Sequence, residues 1–242
     1  MEHWSLYSER FSQIDKGKIK KKLIYLPKKL WVPDYSAYDK MKALTKKSIK
    51  LEVVGNPYLQ QRIKELRTNK KLKNKNEILF ISEKIKSDFS KKSDSYPGIN
   101  EEIALNKIIK ARKPETKIVI KLHPQEKLTK FAPILKKYKN ITVKQKIDLK
   151  TKINSCKSVI GISSMLLLEA ALIREDVISI IPFNKKNIFI GNKKQITKNV
   201  YSVAELRKVI YKKKKLKINL KFQKLFKNST QKCLRSLKNI AS

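Results

Sequence analysis

Glycine is scarce in this sequence, with only five among 242 residues. No segment has the spacing G-x-G-x-x-G, and none has the spacing G-x-x-x-x-G-K followed by Ser or Thr. These absences exclude the two common glycine-rich loops that hold nucleotide phosphates. A phosphate that binds to this chain must therefore be held by other hydrogen-bond donors.

Cysteine, histidine and long apolar segments are also rare. The two cysteines are too few for a disulfide framework, and no cysteine–histidine cluster has the spacing of metal ligands. No apolar run approaches the ~20 residues that cross a bilayer. The opening residues, MEHWSLYSERF, lack the apolar core of a signal peptide. We expect a cytoplasmic protein with no metal cofactor.

The formal net charge of +39 is the most pronounced feature of the composition. Three interpretations are open: binding to nucleic acid, binding to an anionic membrane surface, or a lysine-rich surface that reflects AT-rich coding and binds nothing. Only seven of the 59 basic residues are arginine, and the lysines are spread along the whole chain. Since bidentate contacts to guanine favour arginine, sequence-specific DNA recognition is disfavoured.

Short β-branched runs alternate with helical segments from residue 50 onwards. We expect strands at 49–54, 76–83, 117–124, 141–144, 158–162 and 176–182. We expect helices at 58–66, 100–112, 128–138, 148–156, 163–173 and 202–212. Continuous apolar strands separated by helices predict a parallel sheet that is covered on both faces. The predicted fold class is therefore α/β, with a doubly wound parallel sheet.

The chain divides into three segments by pattern. Residues 1–49 are expected to form a lead-in or linker with a short strand at 30–32, residues 50–211 the α/β domain, and residues 212–242 a basic helical tail. The tail places apolar side chains among many lysines, at Leu220, Phe222, Leu225, Phe226, Leu234 and Leu237. Two interpretations are open: these side chains pack on an N-terminal domain, or the amphipathic basic segment lies on an anionic lipid surface.

Four short polar motifs follow predicted strands. They are Gly55-Asn56-Pro57, Ser82-Glu83, His123-Pro124 and Ser163-Ser164. Doubly wound folds bind ligands beyond the carboxyl ends of their strands. We therefore expect the four motifs to lie on one edge of one sheet and to form a ligand site there.

The residue types in these motifs suit a phosphate and a sugar. Ser163 and Ser164 open an apolar helix, whose free N–H groups and positive dipole attract anions. One serine suffices as the helix cap, which leaves a second hydroxyl for a ligand. His123 can donate to a phosphate oxygen or to a backbone partner. Glu169, about 7.5 Å further along the helix, is expected to be buried and to accept hydrogen bonds from ribose hydroxyls, a lysine or a backbone amide.

The order of these motifs resembles the nucleotide-binding C-terminal half of GT-B glycosyltransferases. The pairing of "HP" with "SS" resembles bacterial sialyltransferases and polysialyltransferases, and it is also similar to the CDP-glycerol polymer transferases of cell-wall synthesis. The resemblance covers roughly residues 50–210. The segments "HWSLYSERF" and "LPKKLWVPDYSAY" are similar to the lead-in of this domain in capsule and surface-polysaccharide transferases.

The resemblance implies a Rossmann-like nucleotide-sugar-binding domain and assigns roles to its motifs. It implies that the nucleotide phosphate is bound by His123, Pro124, Ser163 and Ser164. It implies that Glu169 binds the ribose. The residues expected to line the cleft are Gly55, Asn56, Ser82 and Glu83.

The implied function is transfer of a sugar from a CMP- or CDP-linked donor, without a metal, in bacterial capsule or lipopolysaccharide synthesis. The implied acceptor is a glycan or glycolipid, and the implied location is the inner face of the cytoplasmic membrane. The acidic Asp/Glu-Asp/Glu-Gly motif that carries the general base in sialyltransferases is absent, so no catalytic residue is identified. A complete GT-B enzyme needs ~350 residues, so three interpretations of this chain are open: a gene fragment, a remnant, or half of a split enzyme whose N-terminal domain is supplied by a partner chain.

Three alternatives compete with this interpretation. The first is a nucleic-acid-binding protein driven by charge. The second is a non-catalytic or degenerate GT-B half that keeps the fold without turnover. The third is a protein similar to the sugar-nucleotide epimerases, which share the fold and an "HP" but carry a serine-glycine-glycine and double-glutamate pattern that is missing here.

Overall fold

The computed structural model describes residues 28–44, 49–68, 75–88, 98–182, 189–193, 195–212 and 224–241. In chain order, the first elements are β1 (Lys29–Val32), α1 (Tyr35–Leu44), β2 (Lys50–Val53), α2 (Pro57–Leu66), β3 (Lys75–Ile81), α3 (Ile85–Asp88), α4 (Glu101–Ala111), β4 (Lys117–Lys121) and a 3-10 helix (Leu128–Phe131). They are followed by α5 (Ala132–Lys137), β5 (Ile141–Lys144), α6 (Leu149–Ser155), β6 (Cys156–Gly161), α7 (Met165–Ile173), β7 (Ile178–Ile180), α8 (Ile190–Lys193), β8 (Lys198–Val200), α9 (Val203–Tyr211) and α10 (Ser229–Ala241).

The described chain divides into two compact units. The first contains the described residues up to Arg62 together with those from residue 224 onwards, and the second contains those from Ile63 to residue 212. The sequence pattern placed the boundaries at residues 50 and 212. In the structure, β2 and the first half of α2 belong with the first unit, and so does α10 of the predicted tail.

The first unit is built on a parallel pair of strands, β1 and β2. Helix α1 covers them with Ala37 and Met41, which are buried against Val32. Helix α10 is tied to both strands through Ser236, whose hydroxyl accepts from Trp31 Nε1 at 2.9 Å and donates to Glu52 at 2.6 Å. The unit therefore combines segments from opposite ends of the described sequence.

The Gly55-Asn56-Pro57 turn does not share a sheet with the other three motifs, so that expectation is wrong. The strand before it, β2, pairs only with β1 in a two-stranded sheet within the described residues. Gly55 has a φ of +84°, and a Cβ atom there would lie 2.1 Å from the hydroxyl oxygen of Ser229. The Asn56 side chain caps α2 by accepting from the amide of Leu59 at 3.0 Å.

The second unit contains a six-stranded, all-parallel sheet in the order β5-β4-β3-β6-β7-β8. Numbered by appearance within this sheet, the strands run 3-2-1-4-5-6, which is the order of a Rossmann fold. The order reverses between β3 and β6. The predicted α/β fold class is confirmed.

Apolar side chains on both faces of the sheet are covered by helices. On one face, Ile78 and Phe80 of β3 pack in a cluster with Leu105 and Ile108 of α4. On the other face, α6 contacts β3 and β6, and α7 contacts β6. Because successive side chains of a strand point to opposite faces, strands covered on both sides must be apolar throughout. This is the physical origin of the continuous apolar runs in the sequence.

Several element boundaries differ from the expectation. The strand predicted at 117–124 ends at Lys121, so His123 lies in the loop beyond it. The segment predicted as a helix at 128–138 is a 3-10 helix that ends at Phe131, followed by α5, which begins at Ala132 with Pro133 in its first turn. The short elements α8 and β8 were not predicted. The predictions for residues 1–27, 89–97, Leu220 and Phe222 lie outside the described residues.

Leu234 and Leu237 of α10 are each about half exposed, next to basic side chains. Among the helices within the described ranges, none combines the length and the apolar character needed to cross a bilayer.

Candidate functional site

A pocket with a volume of about 470 Å³ lies at the carboxyl ends of β3, β4 and β6. This is the position in the sheet where the strand order reverses. In doubly wound folds the loops separate at this point and leave a crevice in which ligands bind. Its location makes this pocket the candidate functional site of the second unit.

Six of the nine residues singled out from the sequence line this pocket. They are Ser82, Glu83, His123, Pro124, Ser164 and Glu169. Ser163 is not among the lining residues, but its hydroxyl donates to the Glu83 carboxylate at 2.8 Å. Gly55 and Asn56 belong to the first compact unit. Three of the four motifs therefore converge as expected.

Helix α7 directs its first amides towards the pocket. Ser164 is its N-cap, with the Ser164 hydroxyl accepting from the amide of Leu167 at 3.1 Å. The next two residues, Met165 and Leu166, both line the pocket. Their amides belong to the first turn of the helix, where no carbonyl of the helix can accept from them. The positive end of the helix dipole therefore lies at the pocket wall.

The Glu83 carboxylate occupies the loop that precedes α7. Its Oε1 accepts from the amides of Ile162 at 3.1 Å and Ser163 at 2.7 Å, and its Oε2 accepts from the Ser163 hydroxyl at 2.8 Å. Burial raises the pKa of Glu83, while these hydrogen bonds act in the opposite direction. In this conformation the amide and hydroxyl of Ser163 donate their hydrogen bonds to Glu83, and not to a ligand in the pocket.

Glu126 is a structural residue of the site that the sequence analysis did not identify. One of its carboxylate oxygens accepts from the Ser82 hydroxyl at 2.9 Å, and the other accepts from the amide of His123 at 2.7 Å. The Lys130 ammonium group donates to Glu126 and to the fully buried Glu101. The only sequence signal was the spacing of three residues between His123 and Glu126, which resembles that of a capping box.

The His123 side chain is exposed at the pocket and has a defined hydrogen bond. Its Nδ1 accepts from the amide of Gln125 at 3.3 Å. A neutral imidazole that accepts at Nδ1 carries its proton on Nε2. His123 is therefore arranged to donate a hydrogen bond from Nε2 to a ligand oxygen.

Two lysines in the pocket lining were not predicted. Lys121, the last residue of β4, is partly buried and donates from Nζ to the carbonyl of Leu122 at 2.5 Å. Burial lowers the pKa of Lys121. Lys84 donates to Gln125 at 3.0 Å and lies 3.2 Å from Asp88. In a chain with so many lysines, the sequence alone gives no reason to select these two.

Glu169 lines the pocket from the second turn of α7 and is only 4% exposed. The prediction that it is buried in an apolar helix is confirmed, because Leu168, Ala170 and Leu172 are also buried. Glu169 forms part of the pocket wall further along α7 than Ser164. A ligand that reached from the first turn of the helix to the second would contact both residues.

The described residues contain no group of three or more His, Cys, Asp or Glu side chains placed to hold a metal ion. No protein-family model matches the chain, and a search of curated proteins finds no significant match. The function is therefore inferred from the pocket itself.

Proposed function

We propose that the pocket binds a nucleotide-sugar donor, and that the chain is the nucleotide-binding half of a GT-B-type glycosyltransferase of surface-polysaccharide synthesis. One observation carries the proposal. Ser82, His123 and Ser164, which follow three different strands, line one pocket where the strand order of a Rossmann sheet reverses. Sites of this kind hold nucleotides in doubly wound folds.

The donor's phosphate would lie at the start of α7. The amides of Met165 and Leu166, the Nε2–H of His123 and the Lys121 ammonium group supply the donors around this position. Helix amides, an imidazole and a cation can stabilise the charge that develops on a leaving phosphate. A metal ion is not required for that task.

The nucleoside would extend from the phosphate along the rest of the pocket. The Glu169 carboxylate would accept hydrogen bonds from the ribose hydroxyls. The apolar side chains of Ile81, Ile85 and Leu149 also line the pocket and offer a surface for a base. An apolar wall with a few placed polar groups is typical of small-molecule sites.

The high positive charge fits an anionic acceptor or membrane surface in this proposal. A lysine-rich surface raises the local concentration of anionic partners. Helix α10 presents Leu234 and Leu237 between Lys232, Arg235 and Lys238, a composition suited to the headgroup region of anionic lipid. The general base would come from a second domain, on this polypeptide or on a partner chain.

The first test is a thermal-shift titration of the full chain with CMP, CDP, UMP, UDP and a short DNA duplex at low and high salt. A ligand at about 100 times its Kd stabilises the folded state by about 2.7 kcal/mol, a shift that is easily measured. We expect a cytidine nucleotide to stabilise the protein at both salt concentrations. Stabilisation by DNA alone, lost at high salt, would instead favour charge-driven nucleic-acid binding.

The second test locates the bound nucleotide. His123→Ala should weaken binding about tenfold or more, because a hydrogen bond to a charged phosphate is lost. Lys127→Ala is the matched control, since Lys127 is exposed four residues further on and does not line the pocket. Unchanged affinity in His123→Ala would exclude this pocket as the nucleotide site.

A further inference from the structure

Glu83 fills a position that would otherwise attract a phosphate. Two successive backbone amides and a serine hydroxyl, all just before the start of α7, converge on its carboxylate. Consecutive amides that precede a helix form an anion-binding concavity. In this protein the anion in the concavity is a side chain of the protein itself.

The position of Glu83 is fixed by contacts on both sides. Its carboxylate accepts the three hydrogen bonds from Ile162 and Ser163, and its backbone carbonyl accepts from Lys130 at 3.3 Å. Lys130 is itself bound to the buried carboxylates of Glu101 and Glu126. Rotating the Glu83 side chain away would leave two amides and a hydroxyl without their acceptor, which is unfavourable in a buried site.

The charge of the pocket lining differs in sign from that of the whole chain. Its ionisable side chains are two lysines, Lys84 and Lys121, and three carboxylates, those of Glu83, Asp88 and Glu169. With His123 neutral, the lining has a formal charge of −1, whereas the whole chain has +39. The lining therefore offers little compensation for a ligand with several negative charges.

We propose that Glu83 restricts the pocket to ligands that carry a single phosphate. This inference rests on the proposed function and makes its substrate class narrower: the donor is linked through a nucleoside monophosphate, not through a diphosphate. The first amides of α7, His123 and Lys121 surround one phosphate. A second phosphate on the side of the β6–α7 loop is repelled by the Glu83 carboxylate. That carboxylate already accepts the hydrogen bonds of the two amides and the hydroxyl of the loop, so these groups cannot bind the phosphate.

Glu83→Gln is the informative substitution. Glutamine has the same shape, and its amide oxygen can accept from Ile162 and Ser163 while its amide N–H donates to the Ser163 hydroxyl. The change therefore removes the charge and retains the hydrogen bonds. Glu102→Gln is the matched control, because it removes a carboxylate that is paired with Lys86 and does not line the pocket.

The measurement is isothermal titration of CMP and CDP into the full-length wild type and both variants, with the urea unfolding midpoint as a check of folding. We expect the wild type to bind CMP about tenfold or more tightly than CDP. The repulsion between the Glu83 carboxylate and a second phosphate in a partly buried site has an effect of that order on the Kd. Glu83→Gln should raise the affinity for CDP about tenfold and change that for CMP less. Glu102→Gln should alter the ratio of CMP affinity to CDP affinity by less than about threefold, because charges outside the pocket that are exposed to solvent are screened.

The outcomes separate this inference from the proposed function. Equal affinity of the wild type for CMP and CDP overturns the role of Glu83 and leaves the nucleotide site in place, even if Glu83→Gln does not fold. The inference is also overturned if Glu83→Gln leaves the ratio of CMP affinity to CDP affinity unchanged, or lowers both affinities equally. Either result would mean that Glu83 only holds the β6–α7 loop in place and does not select between the two nucleotides. If the wild type binds neither nucleotide, the proposed function fails and the inference fails with it.

Discussion

The Ser82 hydroxyl donates a hydrogen bond of 2.9 Å to the Glu126 carboxylate and joins the loop after β3 to the loop after β4. Glu126 also accepts from the amide of His123. The Lys130 ammonium group lies between Glu126 and Glu101, whose side chains are almost completely buried. The pocket edge therefore depends on a small buried cluster with two negative charges and one positive charge.

Removal of the central charge should destabilise the second unit strongly. In Lys130→Met, the buried carboxylates of Glu101 and Glu126 lose their counter-ion, and breaking such a pair costs about 3–5 kcal/mol. Urea unfolding at pH 7 measures this effect. Lys127→Met, on the exposed side of the same segment, should change the free energy of unfolding by less than about 0.5 kcal/mol. Similar midpoints for the two variants would contradict the cluster's role.

The raised pKa of Glu83 predicts a pH-dependent difference between Glu83→Gln and the wild type. Because burial makes ionisation of Glu83 less favourable in the folded state, its contribution to stability is complete below the ordinary pKa of 4.5 and is lost as pH rises through the folded-state pKa. The free energy of unfolding of the variant minus that of the wild type should therefore increase from pH 4 to neutral pH. Urea midpoints at intervals of pH test this, and a difference that falls with pH would show that the hydrogen bonds outweigh burial.

The start of α9 provides a local test. Ser202 and Glu205 form a capping box, in which the Ser202 hydroxyl accepts from the amide of Glu205 at 3.1 Å and the Glu205 carboxylate accepts from the amide of Ser202 at 3.3 Å. Ser202→Ala should reduce the free energy of unfolding by about 1 kcal/mol. Lys208→Ala, at an exposed position of the same helix, should have almost no effect. Equal changes in the free energy of unfolding for the two variants would mean that the Ser202 cap does not stabilise the fold.

The two cysteines should differ in their reactivity towards alkylating reagents. Burial raises the pKa of the Cys156 thiol to about 11, and its side chain is fully buried. Cys233 of α10 is partly exposed, although burial also raises its pKa. Since the thiolate is the reactive species, we expect Cys233 to react with iodoacetamide at least about 100 times faster than Cys156 in the native protein. Mass spectrometry of tryptic peptides over time measures both rates, and denaturation in urea should make them similar.

The sequence predicted five of the six strands of the large sheet, β3 to β7, because burial on both faces demands uninterrupted apolar strands. It missed β8, which has only three residues. It also predicted that the motifs after β3, β4 and β6 meet, since carboxyl ends of parallel strands share one edge. The helix predicted at 202–212 is present as α9, whose N-terminal contacts, between Ser202 and Glu205, are local in sequence.

The remaining features depend on contacts between distant residues. The pairing of β2 with β1 has no local signature, so the Gly55 turn was placed on the wrong sheet. The sequence placed Glu83 at a strand end without indicating that its carboxylate would bind the amides of a loop about 80 residues later. Lys121 is one of many lysines, and only the fold distinguishes it from those on the surface.

The hydrogen bond between Trp31 and Ser236 has a consequence for biosynthesis. The two residues are separated by 205 positions, so a ribosome must translate almost the entire described sequence before the partner of Trp31 exists. The segments that form the Rossmann sheet emerge in between and can fold as a unit while translation continues. The paired strands β1 and β2 must meanwhile remain without α10. A nascent chain halted before residue 229 should therefore resist protease in its central region and be cleaved readily near Trp31.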